Sequence, residues 1–210
     1  MITSFLSQIE LKYKDVLDEK GKKYIYFAVD GARRMRQIIL DLLEYSTIGR
    51  IDDLKENIDL NTIVDEIKIL YNSKIEEQQA TIITNQLPVI SSYKSPVRQV
   101  FQNIIGNSLK YCKKDSPCLI KIFAIDMVTH WQFSVQDNGI GINKEYFDKI
   151  FVIFQRLHTK EIYSGTGLGL AVTKKIIENL NGKIWLESVE NEGTIFHFTI
   201  PMISKTTNYI

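Results

Sequence analysis

The spacing of apolar residues changes near residue 50, and this change divides the chain into two parts. In residues 1–50 apolar side chains recur every three or four positions, which is the period of an amphipathic helix. The pattern is interrupted at residues 18–21, so it consists of two stripes. They comprise Ile2, Phe5, Leu6, Ile9, Tyr13, Val16 and Leu17, and then Tyr24, Phe27, Ala28, Met35, Ile38, Ile39, Leu42 and Leu43. Two helices with a short connection predict an antiparallel hairpin over residues 1–50.

This hairpin carries more apolar surface than two helices can cover. Two facing stripes leave their flanks in water, and such a small unit has too little core to be stable alone. Self-association of two chains into a four-helix bundle is the favoured solution and predicts a homodimer. The alternative is that the hairpin packs on the domain that follows it.

A polar stretch over residues 51–57 predicts a linker, and residues 51–210 are predicted to form a second domain with mixed elements. Period-two alternation and short β-branched runs predict strands over 57–60, 81–84, 119–125, 131–136, 184–188 and 195–200. Helical periodicity covers 61–75, 97–111 and 168–180. Helices on one face of a mostly antiparallel sheet define an α+β fold, a two-layer α/β sandwich.

Composition excludes several function classes. Lys and Arg number 26 against 25 Asp and Glu, so the charge balance gives no reason to expect nucleic acid as a partner. No apolar run reaches the roughly 18 residues of a membrane span, which predicts no membrane contact by this segment. Cys112 and Cys118 are too few for a disulfide framework, and we predict buried or half-buried thiols in a reducing cytoplasm.

Residues 102–111 form the first of three segments that carry chemistry. Asn103 and Asn107 are four residues apart, so their amides share one face of the predicted helix. Amide oxygens suit Mg²⁺ beside nucleotide phosphates, and Lys110 would add a positive charge there. The alternative is that they are ordinary surface asparagines.

The second segment, residues 136–142, directly follows a predicted strand. Asp137 offers a carboxylate that only accepts hydrogen bonds, as the exocyclic amine of adenine requires, and it would disfavour the carbonyl of guanine. Gly139 and Gly141 let the backbone turn sharply and approach a flat ligand. A plain turn is the alternative, because Asp-Asn-Gly is good turn chemistry.

The third segment places Gly165, Gly167 and Gly169 before the helix predicted from residue 168. The free N–H groups and the dipole of a helix start favour a phosphate there. The spacing matches neither a dinucleotide-binding nor a Walker fingerprint. Upstream, two aromatic residues at 151 and 154 and the polar stretch 155–164 are typical of a lid.

In this order and spacing, the segments resemble the catalytic domain of histidine protein kinases, within the Bergerat-fold ATPases. The resemblance extends from the hairpin to about Ile203. It covers the family's N box at 103–111, G1 box at 137–141, F box at 151–156 and G2 box at 165–169. Residues 193–196 with Pro201 resemble the family's last hairpin.

The resemblance implies ATP and Mg²⁺ as cofactors and assigns roles to the residues. Asn107 would hold Mg²⁺, Asp137 would read adenine, and Thr194 would support adenine through water. The ATP-binding residues implied are Asn103, Asn107, Lys110, Tyr111, Asp137, Gly139, Gly141, Phe154, Arg156, Gly165, Thr166, Gly167, Leu168, Gly169 and Thr194. His158 is expected to be a surface residue, and His130 and His197 to be structural.

The reaction implied is transfer of the ATP γ-phosphoryl group to a histidine and then to an aspartate of a response-regulator receiver domain. Residues 1–50 contain no histidine, and residues 1–6 resemble the stretch just after the family's acceptor motif, as in phytochrome-like kinases. We therefore expect the chain to begin part-way along the first helix and not to phosphorylate itself. The alternatives are a non-kinase Bergerat-fold ATPase and a docking module that binds ATP without turnover.

Overall fold

A computed structural model describes residues 2–13, 15–47, 54–155 and 166–202 of the chain. The chain separates into two compact units, Met1–Thr47 and Ile48–Ile210, and each is described by itself. None of the helices in the described residues is both long and apolar enough to cross a membrane.

The first unit is a helical hairpin of α1 (Ile2–Tyr13) and α2 (Glu19–Thr47). The carboxylate of Asp18 accepts a hydrogen bond from the backbone N–H of Gly21 at 2.7 Å. Asp18 therefore satisfies one of the free donors at the start of α2, as a capping residue does. The predicted interruption at 18–21 is thus wrong in extent, because residues 19–21 already form the first turn of the second helix.

The second unit contains two sheets. The strands are β1 (Glu56–Asp59), β2 (Thr81–Thr84), β3 (Val89–Ser92), β4 (Leu119–Asp126), β5 (His130–Asp137), β6 (Ile184–Val189) and β7 (Gly193–Pro201). β1 and β3 form a small antiparallel pair. The other five lie in the order β2-β4-β5-β7-β6, with β2 and β4 parallel and the remaining neighbours antiparallel.

The helices of this unit are α3 (Leu60–Leu70), α4 (Asn72–Glu77), α5 (Lys94–Lys110) and α6 (Gly169–Asn179), with short 3-10 turns at Lys144–Tyr146 and Lys149–Phe151. The core contains a triad of aromatic rings. Phe101 of α5 meets Phe133 of β5 and Phe198 of β7 edge-on, with ring centroids 5.8 and 5.2 Å apart. Helix-on-sheet packing through these rings confirms the predicted α+β sandwich.

Two local predictions differ from the structure. The helix predicted over 61–75 is broken at Tyr71, whose hydroxyl donates to the carbonyl of Gln102 on α5 at 3.3 Å. A tertiary contact thus ends α3 where sequence periodicity continues. Strand β3 was not predicted, because four residues after Pro88 carry little pattern, and the strand exists through its pairing of Ile90 with Ile58.

Candidate functional site

Asp137 ends β5, is half-buried, and lies at the centre of a hydrogen-bond network. Its Oδ1 accepts from the backbone N–H of Gly139 at 3.0 Å and of Thr194 at 3.2 Å. Its Oδ2 accepts from the hydroxyl of Ser108 at 2.9 Å. Burial raises the pKa of Asp137, and the three hydrogen bonds oppose that rise. The carboxylate is thus held in a fixed orientation by groups from α5, β7 and its own loop.

The loop after Asp137 runs very close to its neighbours. The backbone N–H of Ile140 donates to the carbonyl of Tyr111 at 3.0 Å, and a Cβ on Gly139 would lie 2.6 Å from the same carbonyl oxygen. Gly141 has φ +68°, and a Cβ there would overlap the carbonyl oxygen of Val189. Both glycines predicted from the sequence are therefore required by close backbone approach.

Thr194 is 4% exposed and belongs to a second hydroxyl cluster beside Asp137. Its Oγ1 is 2.9 Å from the hydroxyl of Ser188, which donates to the carbonyl of Gly193 at 2.7 Å. The same Ser188 hydroxyl accepts from the backbone N–H of Ile142 at 2.8 Å. Ser188 thus joins the strand carrying Thr194 to the end of the glycine loop.

The two asparagines of α5 have different surroundings. The side-chain amide of Asn103 donates to the carbonyl of Gly169 at 3.0 Å and to the hydroxyl of Thr173 at 3.2 Å, so it connects α5 to the first turn of α6. The side chain of Asn107 is half-buried and takes part in no hydrogen bond among the described residues. Its carbonyl oxygen is therefore available to a ligand.

Lys110 and Tyr111 end α5 as a contacting pair. The Lys110 ammonium donates to the Tyr111 hydroxyl at 2.9 Å and lies 4.5 Å from the ring centroid. The Tyr111 carbonyl is the acceptor that holds Ile140. The lysine predicted at the phosphate end thus contacts the next side chain along the helix.

The glycine-rich segment leads into α6. Gly167 has φ +78°, a conformation that favours glycine, and the half-buried Thr166 precedes it. Leu168 is fully buried and comes directly before the helix, so its apolar side chain fixes this end of α6 in the core. Gly169 is the first helical residue.

Three residues with roles expected from the sequence, Arg156, His158 and Gly165, lie outside the described residues. Phe154, at the edge of that stretch, has φ +62° and is 47% exposed. A backbone in the left-handed region is uncommon for an aromatic residue and marks a sharp change of chain direction there.

The expectation of free thiols is wrong. Cys112 and Cys118 form a disulfide that joins the residues after α5 to the start of β4, with a Cα–Cα distance of 5.5 Å. That distance lies in the ordinary range for bridged cysteines. Two cysteines are too few for a disulfide framework, but they are enough for one local bridge. The cysteine count could not predict that bridge, because it does not show that the two residues lie close together in the fold.

The two described histidines lie in strands. His197 is buried, with Nδ1 2.8 Å from the Ser134 hydroxyl and its ring stacked on Trp185 at 5.2 Å. Burial lowers its pKa, although the exposed Glu187 carboxylate nearby opposes that shift. His130 begins β5, and its Nδ1 is 2.9 Å from the Thr129 hydroxyl.

The structure brings these sequence segments to one edge of the sandwich. Ser108 connects α5 to Asp137, Asn103 connects α5 to Gly169, and Thr194 connects β7 to Asp137. The sequence analysis did not identify Ser108 or Ser188. Ser108 directly follows Asn107, and this position could have indicated that its hydroxyl lies near the site. Among the described residues, no group of three or more His, Cys, Asp or Glu side chains suits a metal ion.

The fold and this conjunction of segments define an ATPase domain, and comparison with known proteins assigns its family. Residues 93–204 match the model of the family described as histidine kinase-, DNA gyrase B-, and HSP90-like ATPase. The matched range begins just before α5 and includes every site element described above. The chain belongs to this family of ATPases.

Similar curated proteins include phytochrome-like proteins and sensor protein kinases. The chain is 41% identical over 201 residues to the phytochrome-like protein Cph1 of Synechocystis, covering 96% of this chain and 27% of Cph1. It is 32% identical over 212 residues to the sensor protein kinase WalK of Staphylococcus aureus, covering 95% of this chain and 50% of that sequence. The chain thus carries a histidine-kinase-type ATPase catalytic domain and spans about a quarter of Cph1.

Solved structures agree with this assignment. The catalytic domain of histidine kinase ThkA is 31% identical, with a TM-score of 0.62, over 71% of this chain and 97% of that domain. A structure of ThkA in complex with response regulator TrrA is 27% identical with a TM-score of 0.66, over 95% of this chain and 57% of ThkA. ShkA in complex with AMPPNP, at 21% identity and a TM-score of 0.71 over 96% of this chain and 43% of that one, shows the same fold.

Proposed function

We propose that the chain is the ATP-binding catalytic core of a two-component sensor histidine kinase. It binds Mg·ATP and presents the γ-phosphoryl group to a histidine outside residues 1–210, from which the group passes to a receiver-domain aspartate. The observation that carries this proposal is the network around Asp137, which holds a half-buried acceptor between α5 and β7. A cytoplasmic location belongs to the same proposal.

The carboxylate of Asp137 has one acceptor position that the protein does not use, and this position suits the amine of adenine. Each carboxylate oxygen has about two acceptor positions. Oδ1 of Asp137 uses both, for Gly139 and Thr194, whereas Oδ2 uses one for Ser108. One acceptor position on Oδ2 remains for the exocyclic amine of adenine. Guanine has a carbonyl at that position, so the same oxygen would repel it.

The phosphate end offers donors from α6 and an amide oxygen from α5. The first N–H groups of α6, from Gly169 onward, have no partner within the helix, and the helix dipole favours an anion there. Asn107 offers a side-chain oxygen that accepts no hydrogen bond from the described part of the chain, which is the kind of ligand Mg²⁺ takes beside phosphates. When bound, Mg²⁺ would neutralise phosphate charge. Asn103 would orient the first turn of α6 through Gly169.

The test is a titration of the chain with ATP, with and without Mg²⁺, by isothermal calorimetry. We expect Asn107→Ala to weaken Mg·ATP binding at least about tenfold, because loss of a residue that only supports a metal ligand already costs about 10- to 100-fold. Binding of metal-free ATP should change by less than twofold, because the adenine contacts remain. Equal losses with and without Mg²⁺ would contradict the metal role of Asn107, and no ATP binding by the parent chain would overturn the proposed function.

We also propose that the hairpin forms a homodimer. Ten large apolar side chains of the two stripes are 39% to 70% exposed: Ile2, Phe5, Ile9, Tyr13, Tyr24, Phe27, Met35, Ile39, Leu42 and Leu43. Apolar surface of this extent marks a protein interface. It recurs at helical spacing along both helices, so pairing with a second hairpin would cover both stripes at once.

Sedimentation velocity tests this pairing. Ile39→Glu should weaken self-association at least tenfold, because a charge would be buried in the interface. The control is Arg33→Glu, which introduces the same side chain at an exposed position on a different face of α2. If both variants and the parent chain sediment alike, the hairpin is not the dimer interface.

The receiver-domain partner is proposed from the ThkA–TrrA complex, in which a related kinase binds a response regulator. Biolayer interferometry with receiver domains from the same genome would measure it. Absence of binding by every such domain would argue against this partner.

A further inference from the structure

The disulfide between Cys112 and Cys118 encloses the turn 113–117, and this turn contacts the loop that follows Asp137. The side-chain amide of Asn138 donates to the carbonyl of Pro117 at 2.9 Å, and its Oδ1 accepts from the N–H of Leu119 at 2.8 Å. Asn138 also donates its own N–H to the Leu119 carbonyl at 3.3 Å. Asn138, the residue next to Asp137, is therefore hydrogen-bonded to the residues before and after Cys118.

The other end of the bridged segment holds the same loop. Tyr111, the residue before Cys112, accepts the N–H of Ile140 at 3.0 Å. Cys112 Sγ lies 3.1 Å from the carbonyl oxygen of Ser108, whose hydroxyl donates to Asp137. The segment closed by the disulfide thus contacts the adenine-side loop at both ends and adjoins the residue that orients the carboxylate.

We propose that Cys112 and Cys118 are a reversible redox pair that sets the affinity of the site for adenine nucleotides. The proposal rests on the proposed function, because it needs ATP at Asp137. The disulfide keeps the turn 113–117 closed, so the loop at 137–141 is ordered before the nucleotide arrives. Preorganisation of this kind raises affinity by lowering the cost of ordering on binding. Reduction lets the turn open, so the loop at 137–141 must be ordered when the nucleotide binds, and this ordering lowers the affinity.

Oxidation proceeds by exchange with a low-molecular-weight disulfide. The thiolate of one cysteine attacks a sulfur of that disulfide, forms a mixed disulfide and releases one small thiolate. The second cysteine thiolate then attacks the protein sulfur of the mixed disulfide, forms the Cys112–Cys118 bond and releases the other small thiolate. Two electrons pass from the cysteines to the small disulfide, and the two cysteine protons go to the released thiolates.

Access to the sulfurs requires local opening of the turn. Cys112 is 7% exposed and Cys118 2%, whereas Lys114, Asp115 and Pro117 between them are exposed. Short exposed turns open at low free-energy cost compared with the core. Lys113 and Lys114 directly follow Cys112, and their positive charges favour its thiolate once it is in water.

The experiment compares the full chain in two redox states. One sample is incubated with oxidised glutathione and the other with dithiothreitol, and both are desalted. Free thiols are counted by the mass added by maleimide after denaturation, which is unambiguous because the chain has two cysteines. Mg·ATP affinity is then measured by calorimetry. We expect the oxidised chain to bind about three- to tenfold more tightly than the reduced chain.

Two variants make the result specific. The double variant Cys112→Ser with Cys118→Ser should bind as the reduced chain does and should not respond to either reagent. Asn138→Ala, which removes the side-chain contact to the turn, should shrink the difference between redox states to less than twofold. Circular dichroism of each sample checks that the fold is retained.

The outcomes separate this proposal from the proposed function. Equal affinity of the oxidised and reduced chains, or failure of oxidised glutathione to form the bridge, would overturn the redox pair and leave ATP binding intact. Absence of ATP binding in both states would overturn the proposed function itself. A redox response that persists unchanged in Asn138→Ala would contradict the transmission through that residue.

Discussion

Asp137→Asn should weaken Mg·ATP binding by about 30- to 150-fold, which corresponds to the loss of a hydrogen bond with a charged acceptor worth about 2–3 kcal/mol. Asparagine has the same shape, so its oxygen can keep the N–H groups of Gly139 and Thr194. Its NH₂ group then takes the place of Oδ2 and meets two donors, the Ser108 hydroxyl and the adenine amine. The variant should therefore fold but lose nucleotide recognition.

Calorimetric titration with Mg·ATP measures this loss, and thermal unfolding followed by circular dichroism checks the fold. The matched control is Asp65→Asn, the same substitution at an exposed carboxylate of α3 that pairs with Lys68. It should bind Mg·ATP within about twofold of the parent chain, because exposed ion pairs contribute little. Equal affinity in Asp137→Asn and the parent chain would show that Asp137 does not accept the adenine amine.

The same carboxylate makes binding depend on pH. Burial raises the pKa of Asp137 above its ordinary value of 3.8. As the pH falls through this raised pKa, the carboxyl group gains a proton and ceases to be a pure acceptor, so affinity falls. Folding responds in the opposite sense: the contribution of this group to stability is fully present below its unfolded pKa and is lost as the pH rises through the folded pKa.

Ser108→Ala tests the cause of that pH dependence. The Ser108 hydrogen bond lowers the pKa of Asp137, so its removal should raise the pKa further and move the acid limb of ATP binding to higher pH. Comparison with the parent chain at each pH cancels the titration of the nucleotide phosphates. An unshifted acid limb would mean that Ser108 does not act on the charge of Asp137.

The site residues that could be predicted from the sequence are those whose residue type alone determines what they can do. An aspartate at a strand end and glycines in tight loops are informative alone, because few other residues could replace them. The fold class was predictable for the same reason, since a period of two or 3.6 follows from local geometry. These features could be predicted without knowing which secondary-structure elements contact each other.

What sequence did not predict depends on contacts between distant segments. Ser108 and Ser188 are common hydroxyl residues, and they gain a role only because α5 meets β5 and β6 pairs with β7. The end of α3 depends on the contact of Tyr71 with Gln102. The disulfide depends on the turn that brings Cys112 to Cys118. Each is a consequence of the assembled fold, which no local pattern contains.

Gly141→Ala should lower the free energy of unfolding of the ATPase domain by about 2–4 kcal/mol. The left-handed backbone at φ +68° costs alanine about 1–2 kcal/mol, and overlap with the Val189 carbonyl adds about 1–2 kcal/mol, within the range for overpacking. The loop cannot simply move away, because Asn191 of the β6–β7 turn donates its N–H to the Ile140 carbonyl at 2.7 Å. The melting temperature should fall by roughly 5–15 °C for a domain of this size.

Thermal and urea unfolding of the full chain measure this effect, with Gly31→Ala as the matched control. Gly31 lies inside α2, where an added Cβ would meet only the end of the Arg34 side chain at 3.9 Å. Alanine there should stabilise the helix by about 0.5–1 kcal/mol, because glycine loses more backbone entropy on folding. The same chemical change should thus have opposite signs at the two positions. If Gly141→Ala were as stable as the parent chain, the loop would have to relax away from Val189, and the orientation of Asp137 could not depend on that close approach.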